Sequence, residues 1–360
     1  MIEYVVSIGL PLLVTLIMSF KTGKLVISRE KQTPVAIVVF FVLFYLLLAL
    51  RSDKIGVDLK RYIYLFNTSE LLPLNDYVKK RATELVFHMI VRFIHMIAGV
   101  RTFLFIVSFF IVLPTAVLYF IESEKPMLSI AFYMILPMFG MAFSGLRQSI
   151  AIAIVGLSFF FVKKRKLLLF LVLIGVAMLF HNTAVLGLLL YPVYRIKYRK
   201  WMLFIVIPAI ILVLIFNESI FKFLAGFLGD VYEHSASITH TGATGMLMLF
   251  ALILAFSFAF ADESRMDEET IGLRNIAVLA IFVQCFSLVN PIAMRVNYYY
   301  ILFLPLLVPK IINRSKDRYL VLSNIIGWVM TAYFMFYFFY RLLSGGDAFQ
   351  IYPYSFFFSG

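Results

Sequence analysis

One cysteine, Cys285, stands in the 360 residues, so no internal disulfide can form and a cysteine-based metal site is not expected. Charge is nearly as scarce: Asp, Glu, Lys and Arg make up 14% of the chain, where a soluble globular domain carries about a quarter. With 63% of its residues hydrophobic, the chain cannot cover itself with water-facing side chains, which excludes a soluble globular protein. No P-loop, nucleophile elbow or dinucleotide fingerprint occurs, and no repeat of fixed period. The first apolar run, Ile2 to Phe20, has no basic leader and no small-residue cleavage site, and reads as a retained first span.

What is present is a series of apolar runs of roughly 16 to 22 residues, the length an α-helix needs to cross about 30 Å of hydrocarbon. Within lipid every backbone N–H and C=O must be paired internally, and the runs lack the alternation of barrel strands, so helices are implied. The expected fold is all-α and polytopic, a single transmembrane domain over 1–360. Twelve spans are expected, at about 2–20, 34–50, 102–121, 127–143, 147–162, 166–180, 182–195, 201–216, 245–261, 273–290, 297–312 and 319–340. The longest stretches between them, 51–101 and 217–244, are expected to be outer loops.

A formal charge of +13 would point to nucleic acid in a soluble domain. Here the cations sit in short clusters between apolar runs, so they read as topology determinants and no nucleic-acid partner is expected. The strong clusters are Lys21/Lys24/Arg29/Lys31, Lys163/Lys164/Arg165/Lys166, Arg195/Lys197/Arg199/Lys200 and Lys310/Arg314/Lys316/Arg318, all expected on the cytoplasmic side. They share a side only if Glu84 to Ala98 does not cross. That segment carries Arg81, Glu84, His88, Arg92 and His95 within about 80° of one another on a helix, and at about 22 Å it is short for a span. It is expected to be an interfacial or re-entrant helix on the outer side. The run Leu167 to Tyr194 would be roughly 42 Å long as one helix with basic clusters at both ends, so a hairpin tipped at His181-Asn182 is expected. Both termini are then outside, and Arg51 to Arg101, Arg147, Gln148, His181, Asn182 and Arg295 gather on the outer face.

Charged residues at membrane depth cost roughly 2.5 to 3.5 kcal/mol each on insertion scales, so a retained one needs water, a partner or a function. Arg147, in SGLRQSIAIA, follows a helix break at Ser144-Gly145; it either snorkels or presents a guanidinium fork to phosphate. The segment Arg51 to Phe66 is dense in Arg, Asp and Tyr, which suits a diphosphate and sugar hydroxyls, or an ordinary solvated loop. His181 could take a proton or merely cap a helix, and Arg295 lies beside Asn297 and Tyr298. Asp230, Glu233, His234 and His240 match no metal-ligand spacing, and no metal or cofactor is expected. The acidic run Asp262 to Glu269 reads as a solvated loop.

Taken in order, R-x4-G-x-D-x3-Y (Arg51, Gly56, Asp58, Tyr62), Glu84 opening an amphipathic helix, G-L-R-Q-S-I-A (Gly145 to Ala151), F-H-N-T-A (Phe180 to Ala184) and R-V-N-Y-Y (Arg295 to Tyr299) resemble the EpsG-like branch of the Wzy-type polysaccharide polymerases. The resemblance runs from about residue 45 to 310. It implies a plasma-membrane glycosyltransferase, independent of nucleotide sugar and of metal, active on the outer face. Such an enzyme passes a growing glycan from an undecaprenyl-diphosphate carrier to the non-reducing end of another carrier-linked repeat unit. By the same resemblance Glu84, His181 and Arg147 are the catalytic candidates, and Arg51, Asp58, Tyr62, Gln148, Arg295 and Tyr298 the substrate-binding ones. The implied partners are the lipid-linked donor and acceptor and membrane lipid, with a chain-length regulator and a repeat-unit flippase beyond them. An O-antigen ligase, a transporter of lipid-linked glycan and a membrane acyltransferase stay open as alternatives.

Overall fold

The computed structural model describes residues 1–23, 28–71, 73–80, 84–197, 200–226 and 243–359. Among these the chain is helical apart from two isolated antiparallel bridges, Arg51 with Phe356 and Ala261 with Ser315. The α-helices up to residue 178 are α1 (Ile2–Thr22), α2 (Val35–Leu50), α3 (Leu59–Asn67), α4 (Leu74–Lys80), α5 (Leu85–Ile97), α6 (Val100–Glu122), α7 (Pro126–Ile135), α8 (Pro137–Ser144), α9 (Leu146–Lys163) and α10 (Leu167–Met178). Beyond it come α11 (Leu190–Tyr194), α12 (Leu203–Ile215), α13 (Asn217–Gly226), α14 (Thr244–Phe260), α15 (Glu268–Phe286), α16 (Pro291–Ile301), α17 (Leu304–Asn313) and α18 (Leu320–Leu343).

Among the described residues six helical stretches are long and apolar enough to cross a membrane: Ile2–Lys21, Val100–Glu122, Leu146–Lys163, Glu268–Phe286, Ala293–Asn313 and Asp317–Leu343. Two bent pairs raise the number to eight, Pro126–Ile135 with Pro137–Ser144 at 62° and Leu203–Ile215 with Asn217–Phe223 at 81°. The expected count of twelve is not confirmed: among the described residues the other four segments, at Val35–Leu50, Leu167–Met178, Asn182–Tyr194 and Thr244–Phe260, form shorter apolar helices. The break between α7 and α8 has a local cause: Leu136 is extended ahead of Pro137, as the residue before proline prefers.

The chain forms two compact units, one of Met1–Leu188 with Val321–Gly360 and one of Leu189–Leu320. In the first, the paired ends of the helices define two opposite faces. At one end Lys31 donates to the Ile121 carbonyl, the Gln32 amide to Glu124 (3.1 Å), Lys125 to Ser28 (2.9 Å), and Lys163 pairs with Glu122 (2.6 Å). Lys31, Lys125 and Lys163 thus share one face, and Lys24 lies outside the described residues. At the other end Arg101 donates to the Arg51 carbonyl (2.9 Å), and the Tyr4 hydroxyl to Ile351 (2.6 Å).

The expected outer loop 51–101 is mostly helical, built of α3, α4 and α5. On α5 the expected polar stripe turns inward: His88 is buried among Phe87, Val91 and Ile94, Arg92 donates to Ser69 (3.1 Å), and His95 lies 3.4 Å from Glu70. Met89, Phe93, Met96 and Ile97 are exposed on the opposite side, an apolar surface fit for lipid. Arg81 lies outside the described residues. The hairpin expected at His181-Asn182 also forms, since a side chain at Gly187 would touch Ile174 (3.0 Å), which a straight helix would carry far away.

In the second unit the acidic run is not a free solvated loop. Glu263 pairs with the fully buried Arg274 (3.0 Å), Glu269 with the buried Lys310 (2.7 Å), Asp267 with Arg314, and Asp317 with Arg265 (2.6 Å). A buried cation without an acceptor is costly, so these carboxylates are structural counter-ions.

Candidate functional site

Around residue 51 the chain leaves α2 in an extended conformation, with Arg51 at ψ 150°, and must turn sharply into α3. Gly56 makes the turn at φ +100°, and a side chain there would lie 2.1 Å from the Phe143 carbonyl oxygen. Only glycine fits so close an approach with that backbone angle. The Asp58 amide then donates to the Ser144 hydroxyl at 3.1 Å, tying the start of α3 to the junction where α8 ends and α9 begins. One turn on, the buried Tyr62 points toward the same junction.

Arg147 sits on the first turn of α9, its guanidinium 5.9 Å from the centre of the Tyr62 ring, with the Tyr62 phenol and Asp58 as further electrostatic neighbours. It also pairs with the Glu84 carboxylate. Glu84 precedes α5 in a left-handed conformation (φ 60°), which costs a non-glycine residue roughly 1 to 3 kcal/mol and persists where surroundings over-determine it. Those surroundings are visible. One carboxylate oxygen meets Arg147, the other His181 Nδ1, and the Asn182 amide donates to the same carboxylate. Burial alone would push the Glu84 carboxyl up; the His181 hydrogen bond, the Arg147 charge and the Asn182 amide outweigh it and hold the group below the ordinary carboxylate value.

The cluster therefore joins residues far apart in sequence, Asp58, Tyr62, Glu84, Arg147 and His181, within the first unit. It lies with Arg51 and Arg101 at the end of the unit opposite Lys163–Lys166, because α9 runs from Arg147 at one end to Lys163 at the other. Glu84 and Arg147 are partly or wholly withdrawn from solvent, with side chains 8% and 28% exposed, and His181 is 24% exposed. An anion can approach Arg147 from the open side, and the imidazole keeps Nε2 for a ligand once Nδ1 is engaged. Gln148, the next residue of α9, is buried. Among the described residues no three or more His, Cys, Asp or Glu side chains are placed to hold a metal ion, and Asp230, Glu233, His234 and His240 lie outside them.

Other expected site residues fall elsewhere. Arg51 is fully buried, above the Phe143 ring at 5.6 Å, and none of its guanidinium nitrogens has a hydrogen-bond partner among the described residues. Burial lowers it to about 10, still protonated at neutral pH. It is no solvated loop residue, and nothing large can reach it in this conformation. In the second unit Arg295 is exposed on α16, at the end of the Ala293–Asn313 stretch opposite Lys310, while Tyr298 is buried.

The sequence marks Asn182 and Ser144 without showing that the Asn182 amide and the Ser144 hydroxyl hold the cluster, and it leaves unmarked a third contributor, the segment 347–357 that pairs with Arg51 and Ser52. The first two are neighbours of residues already singled out. The third lies beyond the last apolar run, where its only signal is an acidic residue after Ser344-Gly345-Gly346 followed by a dense aromatic stretch.

The EpsG family model matches residues 35–356, a stretch that includes the cluster and the segment paired with Arg51 and Ser52. No curated protein and no solved structure matches the chain.

Proposed function

This chain belongs to the EpsG family of Wzy-like polymerases, and from that premise we propose that it polymerises polysaccharide repeat units carried on a polyprenyl diphosphate, at the outer face of the plasma membrane. The observation that carries the reading is the convergence of Arg147, Glu84 and His181 beside Asp58 and Tyr62.

The chemistry divides among these groups. Glu84 is a poor base, since its carboxylate is already committed to Arg147, His181 and the Asn182 amide. His181 is the better one: with Nδ1 bonded to Glu84, the ring is fixed and Nε2 faces the acceptor. Nε2 takes the proton of the acceptor sugar hydroxyl as that oxygen bonds to the donor's anomeric carbon. The bond from that carbon to the phosphate oxygen breaks, and the electron pair leaves with the lipid diphosphate. Arg147 faces the negative charge growing on that leaving group. Asp58 and the Tyr62 ring offer an acceptor and an aromatic face to sugar hydroxyls. The diphosphate is already a good leaving group, so holding two large substrates in line accounts for much of the catalysis.

The outer-face assignment follows from charge. Short basic loops stay in the cytoplasm, and the cluster stands at the end of the first unit opposite Lys31 and Lys163–Lys166.

The reading is tested by deleting the gene and resolving the host's surface glycan by length. A polymerase predicts that long chains collapse to a single repeat unit on the carrier, restored by the wild-type chain. Unchanged long chains overturn it, and polymer that accumulates on the carrier without reaching its final acceptor identifies a ligase.

A further inference from the structure

The segment Asp347 to Phe357, which follows α18, runs back along the stretch between α2 and α3. The Ser52 amide donates to the Ser355 carbonyl (2.9 Å), the Phe357 amide to Leu50 (3.0 Å), and the two serine hydroxyls meet at 2.6 Å. Nearer the cluster, the Gly56 amide donates to Gln350 (3.0 Å) and the Val57 amide to Phe349 (3.2 Å). The next residue is Asp58, whose own amide is held by Ser144. The backbone N–H groups of Gly56, Val57 and Asp58 are thus each committed to a partner far away in sequence.

The turn that offers those two carbonyls is itself organised by one side chain. Asp347 accepts from the Phe349 amide (2.9 Å) with one oxygen and from the Ile351 (2.5 Å) and Tyr352 (3.0 Å) amides with the other. Gln350, between them, is held at φ +52°. The Phe349 ring fills the space beside Gly140 on α8, where a side chain would come within 2.3 Å of it. Ile351 is buried, and its carbonyl receives the Tyr4 hydroxyl.

We infer that Asp347 is a positioning residue of the polymerase: through the turn 347–352 it fixes Gly56 and Val57, and so sets where Asp58 and Tyr62 stand against Arg147. Asp347 touches none of the groups assigned to the reaction. Its effect passes through two main-chain hydrogen bonds and the helix they start. This rests on the polymerase reading above. A mere cap on a loose tail would leave the start of α3 to Ser144 alone, whereas here the tail supplies two of the three acceptors at residues 56 to 58.

The test uses the full chain in membranes of a host lacking its own copy, with carrier-linked glycan resolved by length. Complementation by the wild-type chain is the control for the polymerase reading, and its failure counts against that reading and not against the strap. Asp347→Ala is expected to lower polymer formation at least tenfold at an unchanged membrane level. Ser52→Cys with Ser355→Cys, oxidised to a disulfide, should restore most of the activity of Asp347→Ala, and reductant should remove it again. A general folding defect would not be repaired reversibly by one tether. The same cysteine pair in an otherwise wild-type chain covers the case where Asp347→Ala does not accumulate: the tethered enzyme should polymerise at the wild-type rate. Full activity of Asp347→Ala, no rescue by the tether, or loss of activity when the wild-type strap is locked would each overturn the assignment.

Discussion

His181 and Glu84 meet through Nδ1 and a carboxylate oxygen, although 97 residues separate them. The contact leaves one imidazole nitrogen committed and one open, so in the proposed reaction the two residues serve as a base and its orienting group. Removing His181 is expected to lower the rate about 10² to 10⁴-fold. Glu84→Gln should cost less, and the double variant should be no worse than His181→Ala alone, because the carboxylate acts on the reaction through the ring. Additive losses in a glycan-length assay would mean that Glu84 also acts by a second route, through its pairing with Arg147 or on substrate itself.

Arg147→Lys should fail almost as badly as Arg147→Ala. A lysine keeps the charge, but its ammonium cannot hold Glu84 and a phosphate oxygen with one rigid fork. The expected loss is about 10²-fold or more, by analogy with removal of a group that stabilises developing charge. Wild-type chain length distributions from the lysine variant would remove the clamp role.

The depressed Glu84 carboxyl makes a stability prediction. Its stabilising contribution is fully present above the ordinary glutamate value of 4.5 and is lost as pH falls through the lower folded-state value. Thermal unfolding in detergent should therefore show wild type above Glu84→Gln at neutral pH, with the gap closing only in the acid range below 4.5. A gap that stays constant down to strong acid would contradict the ionised, paired state.

Two glycines offer a matched comparison. Gly56→Ala places a methyl carbon 2.1 Å from the Phe143 carbonyl at a positive φ, and should destabilise the protein by about 2 kcal/mol or more. Gly175→Ala, inside α10 with nothing within 4 Å, should hold stability or raise it by roughly 0.5 to 1 kcal/mol. Melting temperatures of the two variants in one detergent decide the matter.

Labelling with a membrane-impermeant thiol reagent tests the sidedness. A cysteine at the exposed Ser344 should react in intact cells, and one at Lys164 only after the membrane is opened. The reverse pattern would put Arg147 and its partners on the cytoplasmic side and end the outer-face proposal.

Helical class, the hairpin at His181 and the amphipathic Glu84 segment were legible because period and charge are local properties of a chain. The spacing of basic clusters also foretold that Lys31 and Lys163 share a face. Helix length was less legible: apolar composition continues through Leu136-Pro137 while the helix does not, so runs that look like spans include bent and short ones. The pairing of Glu263 with Arg274 and the burial of Arg51 against Phe143 depend on which distant segments meet, and composition alone carries no register. Asp347 was missed for the same reason, since the turn it organises bears on the proposed site only through Gly56 and Val57, far back in the chain.

The bond between Ser52 and Ser355 closes a loop of 303 residues, so the early segment that carries Asp58 is inserted long before its support exists. At roughly 5 to 20 residues per second of synthesis, the delay is roughly 15 to 60 seconds. During that interval the turn into α3 stands without the tail's hydrogen bonds to Ser52, Gly56 and Val57. Completion of this turn is thereby coupled to elongation: the ribosome must pass residue 355 before the turn ahead of Asp58 is fully braced.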